Sequence, residues 1–258
     1  MRKIAAIDIG SNAVRMLICY VFPSGDEYVF QKNSYLRLPI RLGEDSFKNG
    51  IISNEKISLL TNAILSFKYI MKVHGVNDYK IYATSALRES RNSREVISIV
   101  KKNTDLNIEL ISGLKEAKII SKGNSLEKVE FNKTFLYVDV GGGSTEFSIL
   151  RKGKEKISRS FKIGTVRLLN NLVDDSMLMD VKNWLKSNID NDDKIKLFAT
   201  GGNINKIQSM TGSKSGKPIS YLSIKDLSNT LISFNYEERM VKFDLNPDRA
   251  DVIIPALK

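Results

Sequence analysis

A glycine-rich turn flanked by two acids is the segment of this chain best suited to chemistry. It occupies residues 139–146, with the sequence DVGGGSTE. Because glycines add no side-chain bulk, successive backbone N–H groups there can approach a ligand closely and form a concave anion site. The hydroxyls of Ser144 and Thr145 can donate further hydrogen bonds to phosphate oxygens. A hairpin that only turns the chain is the alternative interpretation.

The two acids that flank this turn, Asp139 and Glu146, indicate a metal ion. Two carboxylates beside a phosphate would repel it unless a cation lies between them. Mg²⁺ is the usual hard cation beside phosphate, and it prefers oxygen ligands. We therefore expect Asp139 and Glu146 to hold Mg²⁺, or Mn²⁺ in its place.

The pattern of an acid, one residue and a glycine also occurs near the start of the chain, at residues 8–11 (DIGS). Each copy ends an apolar run, at 3–9 and at 134–140, and a second apolar run follows. A repeated turn at matched positions indicates internal duplication, which fixes the architecture. We expect the ligand in the cleft between the two halves.

Hydrophobic periodicity predicts helices that alternate with strands in both halves. The predicted strands are 3–9, 13–22, 27–37, 80–83, 107–111, 134–140, 146–150, 155–163 and 195–199. The predicted helices are 54–73, 93–102, one that begins at 113–121, 164–172, 176–188, one that opens at Gly201-Gly202, and 223–240. This order predicts an α/β protein with a mostly covered sheet in each half. We place the domain boundary near residue 120, which gives domains at 1–120 and 121–258.

Five segments in this order resemble one known family, the exopolyphosphatase / guanosine pentaphosphate phosphatase (Ppx/GppA) family. They are DIGSNAVR (8–15), ATSALRES (83–90), ISGLKEAKII (111–120), VDVGGGSTEF (138–147) and ATGGNINKI (199–207). The resemblance covers essentially the whole chain. It implies a duplicated actin-like ATPase fold, which is ribonuclease H-like, with two lobes and a central cleft.

The resemblance also implies an activity, the hydrolysis of a terminal phosphate from inorganic polyphosphate or guanosine pentaphosphate. Water would attack in line, and Glu116 matches the family's catalytic base. Arg88 matches a basic residue that lines the cleft, where a guanidinium could grip phosphate oxygens and stabilise charge in the transition state.

The remaining site residues follow from the same likeness. Asp139 and Glu146 match the metal-binding positions. The phosphate-binding positions are Ser11, Asn12, Gly141, Gly142, Gly143, Ser144 and Thr145. The nucleotide or polyphosphate cleft would include Arg15, Gly201, Gly202 and Asn203, although strand alternation could turn Arg15 elsewhere.

Three features depart from the family pattern. An acid often precedes the catalytic glutamate, but this chain has Lys115, and Lys118 stands where an arginine is frequent. A positive charge beside Glu116 would favour its ionised form and weaken it as a base. The final segment, RADVIIPALK, resembles the start of a helix that continues in relatives, so we expect the second lobe to be incomplete.

Composition excludes several other chemistries. One histidine and one cysteine rule out an internal disulfide and give no support to a zinc centre or a Ser/His/Asp triad. We find no signal peptide and no apolar run long enough to span a bilayer, so we expect a cytoplasmic protein without a membrane partner. The net charge of +11 favours a polyanionic partner. Clear stacking platforms or a basic helix are missing, which disfavours nucleic acid.

Two other functions stay open at this level. The chain could be a non-catalytic sensor that binds guanosine tetraphosphate or pentaphosphate, or an ATP-dependent phosphotransferase of the same fold. The sequence leaves open the choice between polyphosphate and guanosine pentaphosphate, and also whether the chain forms a homodimer.

Overall fold

The computed structural model describes residues 2–25, 27–123, 134–151, 154–190, 195–213 and 217–257. The chain divides into two compact units, Met1–Ser112 and Gly113–Lys258. The division lies eight residues before the boundary expected near residue 120, so the helix that begins at Gly113 belongs to the second unit.

The first unit is built on a five-stranded mixed sheet. Its strands are β1 (Arg2–Ile9), β2 (Val14–Ser24), β3 (Glu27–Leu38), β4 (Asp78–Ala83) and β5 (Glu109–Leu110). Their order in the sheet is β3-β2-β1-β4-β5, with β1 antiparallel to β2 and parallel to β4. Its helices are α1 (Leu42–Asn49), α2 (Asn54–His74), α3 (Ser85–Glu89) and α4 (Ser93–Thr104).

Helix α2 illustrates how the sequence specifies this unit. The Ser53 side chain caps it by accepting a hydrogen bond from Lys56 N, and Gly75 ends it with φ 66°. Residues one helical turn apart, among them Leu60, Ile64 and Phe67, are fully buried against the sheet. Apolar burial on this one face holds the helix in place.

The second unit repeats the topology. After α5 (Gly113–Gly123), strands β6 (Thr134–Val140), β7 (Thr145–Arg151), β8 (Lys154–Phe161) and β9 (Ile195–Thr200) form a sheet of order β8-β7-β6-β9. Strand β6 is antiparallel to β7 and parallel to β9, as β1 is to β2 and β4. The duplicated α/β fold predicted from the sequence is therefore confirmed.

The described residues of the second unit form six further helices. They are α6 (Thr165–Leu169), α7 (Asp175–Asn188), α8 (Gly202–Met210), α9 (Tyr221–Ile232), α10 (Tyr236–Phe243) and α11 (Pro247–Ala250), with a 3₁₀ helix at Pro255–Leu257. Trp184 of α7 packs on Phe147 and Phe161, which covers one face of the sheet. A separate core around Leu231, Leu245 and Ile253 joins the last helices.

Two predictions about the final third of the chain need correction. The single helix predicted over 223–240 is wrong, because the chain breaks between α9 and α10 where Asn235 caps a new helix. The start of a helix expected in RADVIIPALK is also wrong, because α11 ends at Ala250, the second residue of that segment, and turns and a 3₁₀ helix follow it. Within the described part of the chain, no helix is both long enough and apolar enough to cross a membrane.

Candidate functional site

Both hairpins predicted to bind phosphate form turns that close in the same way. We call residues 10–13 the first turn and residues 141–144 the second turn. Gly10 N donates to Ala13 O at 3.1 Å, and Gly141 N donates to Ser144 O at 3.0 Å. The turns belong to different units.

Three consecutive carbonyl groups of the second turn point towards the start of α6. Their hydrogen bonds are from Thr165 N to Gly141 O (3.0 Å), from Val166 N to Gly142 O (2.8 Å) and from Arg167 Nε to Gly143 O (2.7 Å). The first two donors are backbone amides of the first helical turn, which have no partner within their own helix. The glycine turn supplies the acceptors that they need.

This arrangement fixes where the amides of the second turn point. The described peptide bonds are all trans. In a trans peptide, the C=O of one residue and the N–H of the next point in opposite directions. The N–H groups of Gly142, Gly143 and Ser144 are therefore directed to one side, away from α6. Three adjacent N–H groups with a shared direction form an anion-binding concavity.

Gly164, the residue before α6, makes this close approach possible. Its backbone is extended, with φ −140°, so the conformation itself would suit any residue. A Cβ atom there would lie closer to the carbonyl of Gly142 and the nitrogen of Gly143 than real Cβ atoms lie to other atoms. A residue without a side chain is required because the two backbones touch.

The two predicted metal-binding acids lie side by side at the base of the second turn. Asp139 and Glu146 are directly opposed in the antiparallel pair of β6 and β7, so both side chains project from one sheet face. Ser160 Oγ donates to Glu146 Oε1 at 2.7 Å, and Thr200 Oγ1 donates to Asp139 Oδ1 at 2.6 Å. The four residues form one row across the sheet, in register on β8, β7, β6 and β9.

Aromatic side chains lie next to this row on the same face. Tyr137 stacks on Phe198 with ring centroids 5.2 Å apart, and Phe198 also contacts Phe135 at 5.5 Å. Burial raises the pKa of Tyr137. Glu146 is itself only 3% exposed. In this apolar setting, two opposed carboxylates repel each other more strongly than they would in water.

The arrangement therefore suits a cation. In the described part of the chain, no group of three or more histidine, cysteine or acidic residues is placed to hold a metal ion. Two carboxylates are enough for Mg²⁺, which commonly binds one or two protein carboxylates together with substrate phosphates and water. Asp139 and Glu146 fit that donor set.

The predicted cleft residues at 201–203 lie at the carboxyl end of β9. Gly201 has φ +117°, and a Cβ there would come within 2.5 Å of Val140 O. This close contact holds the start of α8 against the end of β6. Asn203 is buried, with Nδ2 3.5 Å from Thr165 Oγ1. The 201–203 segment thus contacts the elements that frame the second turn.

Thr145, also predicted to bind phosphate, uses its hydroxyl within the fold. Thr145 Oγ1 donates to the carbonyl of Ile163, which lies just before Gly164. The hydroxyl has a single donor hydrogen, so this bond ties β7 to the segment before α6.

The first turn is held by a similar set of contacts in the first unit. Ser11 O accepts from Gly43 N at 2.8 Å, and Asn12 O accepts from Arg41 N at 3.0 Å. Ser11 Oγ lies 2.9 Å from Ser85 Oγ, and both side chains are buried. This bond joins two of the motifs recognised in the sequence, DIGSN and ATSALR.

Two predicted arginines have partners in the first unit. Arg15 Nη1 donates to Asp8 Oδ2 at 2.8 Å, and the two residues face each other across β1 and β2 as Glu146 and Asp139 do across β6 and β7. Arg88 Nη1 donates to Ile111 O at 2.7 Å. That bond holds the segment that leads into α5.

Glu116, the predicted base, lies in the first turn of α5, a helix that packs on β7 and β8. Glu116 is partly buried and the next residue, Ala117, is 1% exposed, whereas Lys115 and Lys118 are exposed. The predicted base and both predicted metal-binding acids therefore belong to the same unit.

Several residues that support the site were not predicted from the sequence. They are Ser160, Gly164, Thr165, Arg167 and Thr200. The glycine before α6 was the one available signal, because a glycine at a helix start marks a possible close approach.

Two curated proteins are similar in sequence to this chain. The chain is 33% identical to the bifunctional 3-dehydroquinate synthase/phosphatase of Fusobacterium nucleatum, over 97% of the chain and 41% of that protein. It is 24% identical to exopolyphosphatase 1 of Mycobacterium leprae, over 72% of the chain and 56% of that protein. The chain thus spans about half the length of these curated relatives.

A solved structure shares the fold. The crystal structure of an exopolyphosphatase from Cytophaga hutchinsonii superimposes with a TM-score of 0.84 at 23% identity, covering 99% of this chain and 88% of that one. The sequence profile of the Ppx/GppA phosphatase family matches residues 26–258, from β3 to the end of the chain. The chain belongs to the Ppx/GppA phosphatase family.

Proposed function

We propose that this protein is a hydrolase that removes the terminal phosphate from inorganic polyphosphate, from guanosine pentaphosphate, or from both. The observation that carries the proposal is the set of three hydrogen bonds that hold the carbonyls of the second turn against α6. The start of α6 binds the carbonyls of Gly141, Gly142 and Gly143. Each carbonyl shares a trans peptide with the N–H of the next residue, so the N–H groups of Gly142, Gly143 and Ser144 point to the opposite side. Phosphate oxygens are the ligands that such a concavity binds well.

The chain's own residues supply the main requirements of phosphoryl transfer to water. The amides of the second turn bind and orient phosphate oxygens and stabilise the charge that develops on them. Glu116 accepts a proton from the attacking water. Phosphoryl transfer depends mainly on positioning and on neutralisation of charge, so no covalent intermediate with the protein is needed.

Asp139 and Glu146 would hold the Mg²⁺ or Mn²⁺ ion. The ion would neutralise negative charge on the phosphates, which the carboxylates alone would repel. The hydrogen bonds from Thr200 and Ser160 orient the two carboxylates. Residues that hydrogen-bond to metal ligands generally fix the geometry of those ligands and tune their affinity for the metal.

The test is the release of phosphate from polyphosphate and from guanosine pentaphosphate, each with Mg²⁺ and without any acceptor or ATP. We expect Glu116→Gln to lower the rate at least about 100-fold, since a positioned general base contributes roughly 10²–10⁴. The thermal unfolding midpoint should stay close to that of the wild type. Asp226→Asn is the matched control, because it neutralises an exposed acid of α9 in the same unit.

Two outcomes would replace the proposal. If guanosine tetraphosphate binds while neither substrate is hydrolysed, the protein is a sensor rather than a hydrolase. If phosphate leaves ATP only when an acceptor is present, it is a phosphotransferase. Full activity in Glu116→Gln would show that Glu116 is not the general base, although the protein would still be a hydrolase.

A further inference from the structure

We propose that Arg167 is a positioning residue that sets the orientation of the second turn and thereby its affinity for an anion. The inference deepens the proposed function and rests on it. Arg167 lies in α6, and its Nε donates to Gly143 O at 2.7 Å. Through the trans peptide, that bond directs the N–H of Ser144 to the side where the other two amides point.

Arg167 differs from the other two donors in one respect. Thr165 and Val166 bind the first two carbonyls of the second turn through their backbone nitrogens. The third carbonyl, that of Gly143, is bound by the Arg167 side chain. Backbone donors persist in almost any substitution. The alignment of the Ser144 amide is therefore the part of the concavity that one side chain controls.

Burial indicates that this contact is a fixed part of the fold. Arg167 is 8% exposed, and its neighbours Thr165 and Val166 are 1% and 0% exposed. A buried guanidinium is costly unless its N–H groups are hydrogen-bonded. This one lies on the carbonyl side of the turn, so it polarises the peptide between Gly143 and Ser144. Polarisation makes the Ser144 N–H a stronger donor to an anion on the opposite side.

The geometry predicts which substitutions matter. Arg167→Met keeps an unbranched side chain of similar length but removes both the donor and the charge. Arg167→Lys keeps a charge and a donor and loses the planar fork. Arg159→Met is the matched control. Arg159 lies in the same unit but is exposed, and its Nη2 donates to Asp180 Oδ2 at 2.7 Å.

Two readouts test the proposal in the full chain. The first is the Kd for inorganic tripolyphosphate by titration calorimetry, together with KM and kcat for phosphate release. The second is the chemical shift and hydrogen exchange of the backbone amides of Gly143 and Ser144. We expect Arg167→Met to raise Kd and KM about tenfold, the size expected for one charged hydrogen bond. Arg167→Lys should recover most of that loss, and Arg159→Met should match the wild type.

The outcomes separate this proposal from the proposed function. Wild-type Kd, KM and amide exchange in Arg167→Met would overturn the role of Arg167. So would an equal loss of affinity in Arg159→Met, because the effect would then come from net charge. If the wild type neither binds tripolyphosphate nor releases phosphate from either proposed substrate, the proposed function fails. Hydrogen exchange in Arg167→Met then decides the role of Arg167. A change in exchange confined to the amides of Gly143 and Ser144 supports the positioning role, and unchanged exchange refutes it.

Discussion

Thr200 Oγ1 donates a 2.6 Å hydrogen bond to Asp139 Oδ1 across 61 residues of sequence. Strands β9 and β6 are parallel neighbours, and their register places the two residues side by side. The bond fixes one oxygen of a carboxylate that faces a second carboxylate, Glu146, on the adjacent strand. The sheet register, rather than any local motif, thus orients the predicted metal-binding acids.

Thr200→Val is expected to lower activity at low Mg²⁺ concentration and to raise the Mg²⁺ concentration needed for half-maximal activity. Valine preserves the branched shape but cannot donate to Asp139, so the carboxylate loses its fixed orientation. Loss of such an outer partner typically reduces metal affinity about 10–100-fold. The check is phosphate release measured against Mg²⁺ concentration.

Ser158→Ala is the control for that experiment. Ser158 Oγ donates to Ser148 Oγ at 2.7 Å, so the variant loses a hydroxyl contact of the same sheet that involves no carboxylate. Its Mg²⁺ dependence should equal that of the wild type. Equal Mg²⁺ dependence in Thr200→Val and the wild type would contradict the assignment of Asp139 as a metal ligand.

Gly164→Ala is expected to impair anion binding more than stability. The added Cβ would overlap Gly142 O, so α6 or the second turn must shift and the three aligned amides lose their common direction. We expect the Kd for tripolyphosphate to rise about tenfold or more, as for the loss of one charged hydrogen bond. Calorimetric titration with a parallel thermal melt measures both quantities.

Gly75→Ala provides the contrast. Gly75 ends α2 with φ 66° and has open space around its Cβ position, so alanine there costs about 1–2 kcal/mol of backbone strain without touching either turn. Its melting temperature should fall while its affinity for tripolyphosphate stays unchanged. A similar loss of stability in both variants with unchanged affinity in each would refute the role given to Gly164.

The sequence predicted the elements that carry strong local signals. Helix α2 has a serine cap, an apolar face and a glycine stop, and the prediction of 54–73 agrees with Asn54–His74. Helices α1 and α3 were missed because they have eight and five residues and no side-chain cap. The residue before α1, Arg41, has φ 57°, a left-handed conformation that sequence rules do not assign to arginine.

The break between α9 and α10 had a recognisable signal. Asn235 is followed three residues later by Glu238, the spacing of a capping box. In the structure, Glu238 N donates to Asn235 Oδ1 at 2.9 Å, and Asn235 N donates to Glu238 Oε2 at 3.0 Å. Apolar residues that continue on both sides of the break favoured a single helix in the sequence.

Asn235→Ala should therefore destabilise the end of the second unit. It leaves the Glu238 amide without its acceptor, and loss of such a cap costs about 1 kcal/mol. Urea denaturation measures the change in the free energy of unfolding. Asn235→Asp retains an acceptor oxygen and should remain within a few tenths of a kcal/mol of the wild type. Equal stability of the alanine and aspartate variants would show that the capping box contributes nothing measurable.

The candidate site was only partly predictable for a physical reason. The glycine turn and its flanking acids lie within eight consecutive residues, so a local pattern revealed them. Their supports come from strands and helices distant in sequence, such as Thr200 and Arg167. Strand register and the approach of α6 to the turn depend on tertiary packing, which no local pattern encodes.

Asp174 provides the last prediction, a loss of stability in acid. Its carboxylate caps α7, and hydrogen bonds from the Ser176 hydroxyl and the Met177 amide lower its pKa from the ordinary value of 3.8. Because the pKa is lower in the folded than in the unfolded chain, the stabilisation is complete above pH 3.8 and is lost as the pH falls through the lowered folded value.

Asp174→Asn keeps an acceptor for the cap but does not titrate. Denaturation curves between pH 6 and about 2.5 should show the stability advantage of the wild type over Asp174→Asn shrinking with acidity. Ser176→Ala lacks the largest cause of the lowered pKa. Its stability should therefore fall less with acidity than that of the wild type. A difference between wild type and Asp174→Asn that stays constant over this range would show that the cap does not depend on the charge of Asp174.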